Sequence, residues 1–322
     1  MIPVDITYDN YTFNASRWED DYDLTDFLSI ATTRAGAGYP APLDGPKTAS
    51  GTYQIAASFC TPKKRTAKAK NVIIATHGIG PARAHWNSPY RPDEYSFSLR
   101  IFTEIAVLKR LARFVKDGKY TGDIGKPVKT AVMGFSFGSY TTHGAVATMP
   151  DIADAVILTV IGFNTTGLNS NGLVRSFEPR VANQQNPALY GNLDNGYLTW
   201  VDKFGLIWNG SYFKKPNYEL AAADFVELSK SPFAVAEFLS FLSGPMDASN
   251  YTGLVLAITG ETDYIVCNGY CKGIFDQPGR TYYKNAKFTP YLHPGASHHI
   301  NFHKNATGAY KVIIDFLGAN GL

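Results

Sequence analysis

The sequence predicts an α/β fold, in which helices cover both faces of a mostly parallel sheet. Short, continuous apolar segments recur along the chain, and segments with helical spacing of apolar residues lie between them. Continuous apolar segments are typical of strands buried on both faces, as in parallel sheets. Strands that alternate with helices indicate crossover connections between parallel neighbours. With 322 residues, the chain is long enough to bury a large core.

The elements of this sheet can be assigned in order along the chain. A first segment, 52–60, alternates as a β-strand does. Buried strands are predicted at 71–76, 128–133, 155–161, 254–259 and 288–292. Helices are predicted at 99–117, directly after Gly138, and at 310–317.

Two segments depart from this pattern. Residues 1–50 are interpreted as an irregular N-terminal extension with one short helix near 22–32. Residues 164–251 interrupt the sheet between two core strands and combine turn-rich with aromatic-rich helical stretches such as 225–242, which predicts an inserted helical cap. The core then comprises 51–163 and 252–322. Aromatic residues of a cap can line an apolar pocket, but we expect more than half of them to form the cap's own core. These residues are Tyr190, Tyr197, Trp200, Phe204, Trp208, Tyr212 and Phe213.

Composition excludes several classes of function. The net charge is only +3, and the densest basic cluster, 63–70, has no interleaved aromatic residues. Such a cluster is typical of a solvated loop, and we expect no nucleic-acid binding. No apolar segment reaches the roughly 18 residues of a membrane span. Two neighbouring cysteines are an incomplete metal site, and no cofactor is implied.

The compartment is indicated by sequons and cysteines. The N-terminus carries no secretion signal, yet six Asn-x-Ser/Thr sequons occur, which suggests a secreted or lumenal protein. Cys267 and Cys271 have the spacing of a small disulfide loop, or are two thiols, and Cys60 is the odd one of three. The sequons begin at Asn10, Asn14, Asn164, Asn209, Asn250 and Asn305.

Ser136 is the candidate nucleophile. It lies in Gly134-Phe135-Ser136-Phe137-Gly138, between a predicted strand and a predicted helix. A nucleophile on a strand-to-helix turn sits on strained backbone, and flanking glycines relieve the crowding around it. The helix that follows favours developing negative charge at its N-terminus. In this context the pattern indicates a nucleophile elbow.

An acid and a base follow in the order that such a serine needs. A serine at its ordinary pKa requires a base to take its proton. The strand 254–259 ends in Gly-Glu-Thr-Asp at 260–263, which places Glu261 and Asp263 at the carboxyl end of a strand. After the last strand, 295–299 (GASHH) supplies His298 and His299 on a loop.

These motifs resemble those of the α/β-hydrolase family, and more narrowly of secreted fungal members with an inserted cap. The resemblance covers about residues 50–320 and rests on HGIG at 77–80, WNSPYRPDEYSF at 86–97, GFSFG, GETD and GASHH. It favours Asp263 over Glu261 as the acid. It favours His298 as the base, although Ser297 replaces a glycine of the family pattern, which keeps His299 as an alternative.

The resemblance also implies an oxyanion hole built from the backbone amides of Phe137 and Ile79. His77 is interpreted as a structural residue of that loop. The implied activity is cleavage of an ester-type or related acyl bond in an apolar small molecule by Ser136, His298 and Asp263. The alternatives are a non-catalytic binding protein with the same motifs, or a truncated inactive isoform.

One part of the family pattern is absent. Residues 81–133 are read as a loop, 81–98, followed by a single helix, with no buried strand before 128. Removing one strand–helix unit from the middle of a sheet would leave a gap of one strand spacing, with unpaired backbone groups on both neighbours. We interpret the sequence as a shortened version of a fuller hydrolase, through splicing or a faulty gene model.

Overall fold

The protein is built around a five-stranded parallel sheet. The computed structural model describes residues 1–13, 17–31, 43–62, 70–80, 85–86, 101–163, 178–207, 212–240 and 243–322. The sheet has the order β10-β9-β5-β4-β3, with every neighbouring pair parallel. Its strands are β3 (Asn71–Thr76), β4 (Lys129–Phe135), β5 (Ala155–Thr159), β9 (Leu254–Gly260) and β10 (Lys287–His293). The predicted α/β class and all five predicted core strands are confirmed.

Helices cover both faces of this sheet. Side chains of successive strand residues point to opposite faces, so each apolar face needs a helix packed on it. On one face, Val132 and Val156 join a core with the apolar sides of α2 and α3. On the other face, Ile157 and Leu256 pack with Ile313 of α11. The three helices are α2 (Ile101–Lys116), α3 (Phe137–Thr148) and α11 (Ala306–Ala319). Each matches a helix that the spacing of apolar residues predicts.

Within the described residues, the five strands of the parallel sheet pair without an internal gap. Asn71–Thr76 pairs with Lys129–Gly134 along its whole length, so β3 and β4 are direct neighbours. Strand β3 is the last in the sheet order, and Ile73 is 45% exposed. The interpretation of β3 as a strand buried on both faces is therefore wrong. Among the strands that the structure describes, a unit missing beside β3 would lie at the end of this sheet and not between two of its paired strands.

The N-terminal segment is ordered as a hairpin and a helix. Strand β1 (Ile2–Phe13) pairs antiparallel with β2 (Leu43–Ile55), and α1 (Asp21–Ala31) lies between them in the chain. The helix confirms the candidate at 22–32, whereas the expectation of an irregular segment is wrong. The predicted boundary at residue 50 falls inside β2. The strand predicted at 52–60 ends at Ile55.

Hairpin packing explains why sequence patterning missed these strands. Val4 and Ile6 are buried against Val107 of α2, while Asp5 between them faces solvent. The hairpin is held by a helix instead of by the parallel sheet. The hairpin therefore buries only one face, over a small area, and its sequence shows only a weak pattern of apolar residues.

The cap contains a small sheet as well as helices, which corrects the prediction of a purely helical insertion. Three short strands pair antiparallel in the order β6-β7-β8. The helix predicted at 225–242 is divided, because β8 separates two shorter helices. The elements are β6 (Pro179–Val181), α4 (Ala182–Gln185), α5 (Pro187–Tyr190), β7 (Tyr197–Trp200), α6 (Lys203–Ile207), α7 (Leu220–Leu228), β8 (Phe233–Ala234) and α8 (Val235–Ser240).

Aromatic residues of the cap form its core together with the N-terminal helix. Trp200, Tyr212 and Phe213 are buried, and they belong to one cluster with Trp18 and Leu24. Of the other cap aromatics, Phe204 is exposed, Tyr190 and Tyr197 are half-buried, and Trp208 lies outside the described residues.

The remaining elements surround the candidate site. They are α9 (Tyr264–Cys267), α10 (Pro278–Thr281) and two 3-10 turns at Gly122–Ile124 and Ile300–Phe302. Cys267 and Cys271 form a disulfide, and Cys60 is exposed. Asn250 and Asn305 carry exposed side chains, whereas the sequons at 14, 164 and 209 lie outside the described residues. Within the described ranges, every helix is too short or too polar to cross a bilayer.

A buried carboxyl group joins the core to the cap. Glu104 of α2 accepts a hydrogen bond from Thr141 Oγ1 of α3 (3.0 Å) and also contacts the carboxyl group of Glu237 on α8. Burial raises the pKa of Glu104 to about 7. The hydrogen bonds with Thr141 and Glu237 lower the pKa and only partly offset this increase. Two carboxyl groups can share a hydrogen bond only when one carries a proton. The contact is therefore sensitive to pH.

Replacing Val4 with Ala should destabilise the protein by about 1 to 2.5 kcal/mol, because the removed methyl groups leave a void between the hairpin and α2. Val4 is fully buried. Urea unfolding measures the change. The matched control is Val128→Ala, since Val128 is 71% exposed and should change stability little. Equal effects of the two substitutions would contradict the docked hairpin.

Replacing Glu104 with Gln should change how stability depends on pH. The native protein holds the Glu104 proton up to about pH 7, whereas the unfolded chain releases it near 4.5, so wild-type stability falls as pH rises between these values. The Gln variant lacks this loss and should gain about 1 to 3 kcal/mol relative to wild type between pH 4 and pH 8. Urea unfolding across this range measures it. Glu219→Gln, at an exposed cap residue, is the control. Parallel profiles for E104Q and wild type would rule out the raised pKa.

Candidate active site

Ser136 occupies a sharp turn between β4 and α3. Strand β4 ends at Phe135 and α3 begins at Phe137, so only Ser136 separates the two elements. Its backbone has φ +52° and ψ −117°, a region that non-glycine residues rarely adopt. A hydrogen bond from Ser136 N to Thr159 O (3.0 Å) ties the turn to β5. The predicted elbow geometry is present, with its strain held by neighbouring strands.

Three glycines make room for this turn. A Cβ atom on Gly134 would lie 2.2 Å from Gly138 O, and one on Gly138 would lie 2.4 Å from His77 O. A Cβ atom on Gly78 would lie 2.9 Å from Ser136 Cβ. These distances are shorter than any ordinary contact, so the glycines are required by packing. They bring the loop after β3 directly against the serine.

His298 bridges Ser136 and Asp263. Its Nε2 lies 2.8 Å from Ser136 Oγ, and its Nδ1 lies 2.8 Å from Asp263 Oδ2. A carboxylate oxygen can only accept, so Nδ1 carries the proton and Nε2 is left to accept from the serine hydroxyl. The His298 side chain is almost fully buried. The predicted acid, base and nucleophile are therefore in hydrogen-bond contact.

Asp263 is held by the start of α9. Its Oδ1 accepts from Val266 N (2.9 Å), as an N-cap does, and its Oδ2 accepts from Thr259 Oγ1 (3.0 Å). The carboxylate is fully buried and all its bonds come from donors. Glu261 points elsewhere and accepts from Gly295 N (2.9 Å). The geometry thus places Asp263, and not Glu261, beside the imidazole.

The disulfide closes the loop that follows Asp263. Cys267 N and Gly269 N both donate to Asp263 O (3.2 and 3.0 Å), and Cys271 N donates to Glu261 O (3.1 Å). The Cys267–Cys271 bond fixes the two ends of this wrapped segment. This segment therefore holds the backbone carbonyl groups of Glu261 and Asp263 by hydrogen bonds.

His303 secures the base loop on both sides of His298. Its Nε2 accepts from Ser297 N (3.2 Å) and its Nδ1 donates to His299 O (2.8 Å). Both bonds require a neutral ring with the proton on Nδ1. Burial lowers the pKa of His303, which favours this neutral form. The sequence motifs around 295–299 do not indicate this role for His303.

Two further imidazoles pack behind the triad. The His85 ring stacks on Phe135 (3.8 Å between centroids), and its Nε2 lies 2.6 Å from Asn301 Nδ2. His299 stacks on Tyr212 (4.1 Å), and neither ring nitrogen has a hydrogen-bond partner among the described residues. Burial lowers the pKa of both groups well below the ordinary value. Both rings are therefore neutral, and among the described contacts the alternative base His299 forms no hydrogen bond with Ser136.

Of the two expected oxyanion donors, one follows Ser136 in the chain and the other lies in the loop packed against it. Phe137 is the first residue of α3, so its N–H has no acceptor within the helix. Ile79 follows Gly78 in the loop packed against the serine. His77 Nδ1 lies 3.0 Å from Gly78 O, which orients the peptide group that carries the Ile79 N–H. His77 thus lies where the sequence placed it, as a structural loop residue.

No protein family model and no curated protein matches the sequence. Solved structures are similar to it at low identity. A lipase-esterase related protein from Clostridium acetobutylicum is 13% identical, with a TM-score of 0.48 over 77% of this chain and 95% of that chain. A thermophilic esterase from Thermogutta terrifontis is 15% identical, with a TM-score of 0.48 over 79% and 91%. MGS-M2, an alpha/beta hydrolase enzyme from a Medee basin deep-sea metagenome library, is 13% identical, with a TM-score of 0.47 over 81% and 92%.

Replacing Gly134 with Ala should destabilise the protein by about 1 to 3 kcal/mol, because the new methyl group overlaps Gly138 O. Gly318→Ala is the matched control. Gly318 lies within α11 with open space around its Cβ position, so the substitution should stabilise by about 0.5 to 1 kcal/mol. Urea midpoints report both changes. The close packing of the elbow would be refuted if Gly134→Ala were neutral or stabilising.

Proposed function

We propose that this protein is a serine hydrolase that cleaves an ester-type acyl bond of an apolar small molecule. One observation carries the proposal: two hydrogen bonds of 2.8 Å connect Asp263, His298 and Ser136 in an unbroken series. A serine–imidazole–carboxylate series with this geometry activates a hydroxyl group as a nucleophile. The strained backbone at Ser136 supports the proposal, because strain of this kind concentrates at functional sites.

The reaction follows from the positions of these groups. Ser136 Oγ attacks the carbonyl carbon of the substrate while His298 Nε2 takes the hydroxyl proton. The tetrahedral intermediate collapses, and the leaving alcohol takes that proton from His298. A water molecule then attacks the acyl group on Ser136, again giving its proton to His298, which returns it to Ser136 Oγ as the acid product departs. Asp263 remains ionised and stabilises the imidazolium at both stages.

Negative charge develops on the former carbonyl oxygen during each attack. The amides of Phe137 and Ile79 flank the serine, and two such donors can stabilise the transition state by several kcal/mol. The N-terminus of α3, a helix of 12 residues, adds a favourable dipole at the same point. His85 and His299 stay neutral, so neither places a positive charge near His298.

An apolar substrate is supported by the surroundings of the site. Trp200 and Tyr212 of the cap lie against the loop that carries Ile79, and Phe135 and Phe137 flank the nucleophile. These side chains are already buried in the free protein, so the gain comes from the acyl group's own apolar surface leaving water, about 25 cal/mol per Å2. We therefore expect turnover to increase from acetyl to butyryl aryl esters.

A fluorophosphonate probe should label the protein at Ser136, because the probe forms a covalent bond only with an activated serine. Ser136→Ala should abolish labelling and lower turnover of p-nitrophenyl butyrate by at least about 1,000-fold. Mass spectrometry of the labelled peptide gives the position. Ser139→Ala is the matched control, since Ser139 is fully buried and its Oγ donates to Thr159 O, so it should not be labelled.

The base is tested by two neighbouring substitutions. His298→Ala should lose labelling, whereas His299→Phe, which keeps an aromatic ring beside Tyr212, should retain it. The reverse pattern would assign the base to His299. A wild-type protein that melts cooperatively, yet is neither labelled nor active, would refute the hydrolase and favour the binding-protein alternative.

A further inference from the structure

The loop that carries Ile79 is contacted by the cap at three points. Ser231 N donates to Gly80 O (2.8 Å), and Tyr212 Oη donates to Ile79 O (3.4 Å). The Trp200 ring covers Gly80 so closely that a Cβ atom there would lie 2.0 Å from it. Two successive carbonyl groups and the intervening backbone are thus held by residues that come from far along the chain.

Trp200 is itself fixed within the cap. Its Nε1 donates to Glu227 Oε2 (3.0 Å), and its carbonyl oxygen accepts from Lys230 Nζ (3.0 Å). Lys230 and Glu227 form an ion pair at 2.5 Å. The surface that faces Gly80 is therefore rigid, and it can restrain the loop rather than follow it.

Tyr212 also contacts the loop that carries the base. Its ring is nearly parallel to the rings of His299 (4.1 Å, 19°) and His298 (5.5 Å, 16°). Its carbonyl oxygen accepts from His299 N (3.1 Å). One side chain thus lies between the expected oxyanion loop and the base loop, and a shift in either loop would displace it.

The hydroxyl group of Tyr212 is a permanent donor. Burial raises the pKa of its phenol, and the negative charge of Asp263 raises it further. The group therefore stays protonated over the whole working range and takes no part in proton transfer. Its contribution is a hydrogen bond that fixes the direction of the Ile79 carbonyl group.

We propose that Tyr212 is a positioning residue that orients the Ile79 amide toward the oxyanion and fixes its position relative to His298. The inference rests on the proposed hydrolase function. The carbonyl groups of Ile79 and Gly80 lie on the peptide units that follow the Ile79 N–H, so holding them limits rotation of the whole loop. An amide donor must point at the oxyanion and not at the ground-state carbonyl, which makes its orientation a kinetic requirement.

The test is Tyr212→Phe, which removes the hydroxyl group and keeps the ring that stacks on the imidazoles. With p-nitrophenyl butyrate, kcat should fall about 5- to 10-fold, the scale of one neutral hydrogen bond, while KM stays within about twofold. Binding of butylboronic acid should weaken by the same factor as kcat, because its tetrahedral adduct on Ser136 places an anionic oxygen against the amides. A purely structural role would not link these two quantities.

Tyr251→Phe is the matched control. The Tyr251 hydroxyl group also donates to a backbone carbonyl, Ala153 O at 3.2 Å, but lies far from the site. It should lower the melting temperature without changing kcat. The inference is overturned if Tyr212→Phe leaves kcat unchanged, or if it raises KM alone. A wild-type protein without labelling or turnover overturns the proposed function and this inference together, and is recognised before any variant is made.

Discussion

The backbone at Ser136 is the constraint on which the rest of the site depends. A left-handed serine between a strand and a helix is stable only if nothing else occupies the space around it. That condition fixes glycine at 78, 134 and 138, where any side chain would overlap a neighbouring chain segment. It also fixes the pairing of β3 with β4, because the loop after β3 must lie against the serine. The oxyanion loop, the nucleophile and the helix N-terminus converge for this steric reason.

Burial sets the charge state of the surrounding groups. Desolvation lowers the pKa values of His85, His299 and His303, so these rings remain neutral and act as hydrogen-bond partners or packing surfaces. Of the four rings, His298 is the one whose Nδ1 lies at hydrogen-bond distance (2.8 Å) from the Asp263 carboxylate. One imidazole among four is thereby paired with a negative charge, which distinguishes a base from three structural residues of the same type.

The sequence was sufficient for the sheet and for the order of the three site residues. Continuous apolar segments predict strands well when both faces are buried, as for 155–159. At β3 the same rule predicted the strand correctly but not its burial, since composition alone does not reveal that Ile73 is exposed. The hairpin was missed because it buries only one face. The contacts of Tyr212 with Ile79 and His299 join segments distant in the chain, and nothing in local spacing encodes them.

The short disulfide after Asp263 has a consequence for how the protein distributes its stability. Chain entropy makes a cross-link more stabilising when the loop it closes is long. The bond between Cys267 and Cys271 closes a loop of only a few residues, so its model-dependent effect on the unfolded ensemble is only about 2 kcal/mol. Its larger effect is local, because the enclosed amides bind the carbonyl oxygen of Asp263. The cross-link therefore preserves the shape of one turn more than it resists unfolding of the whole chain.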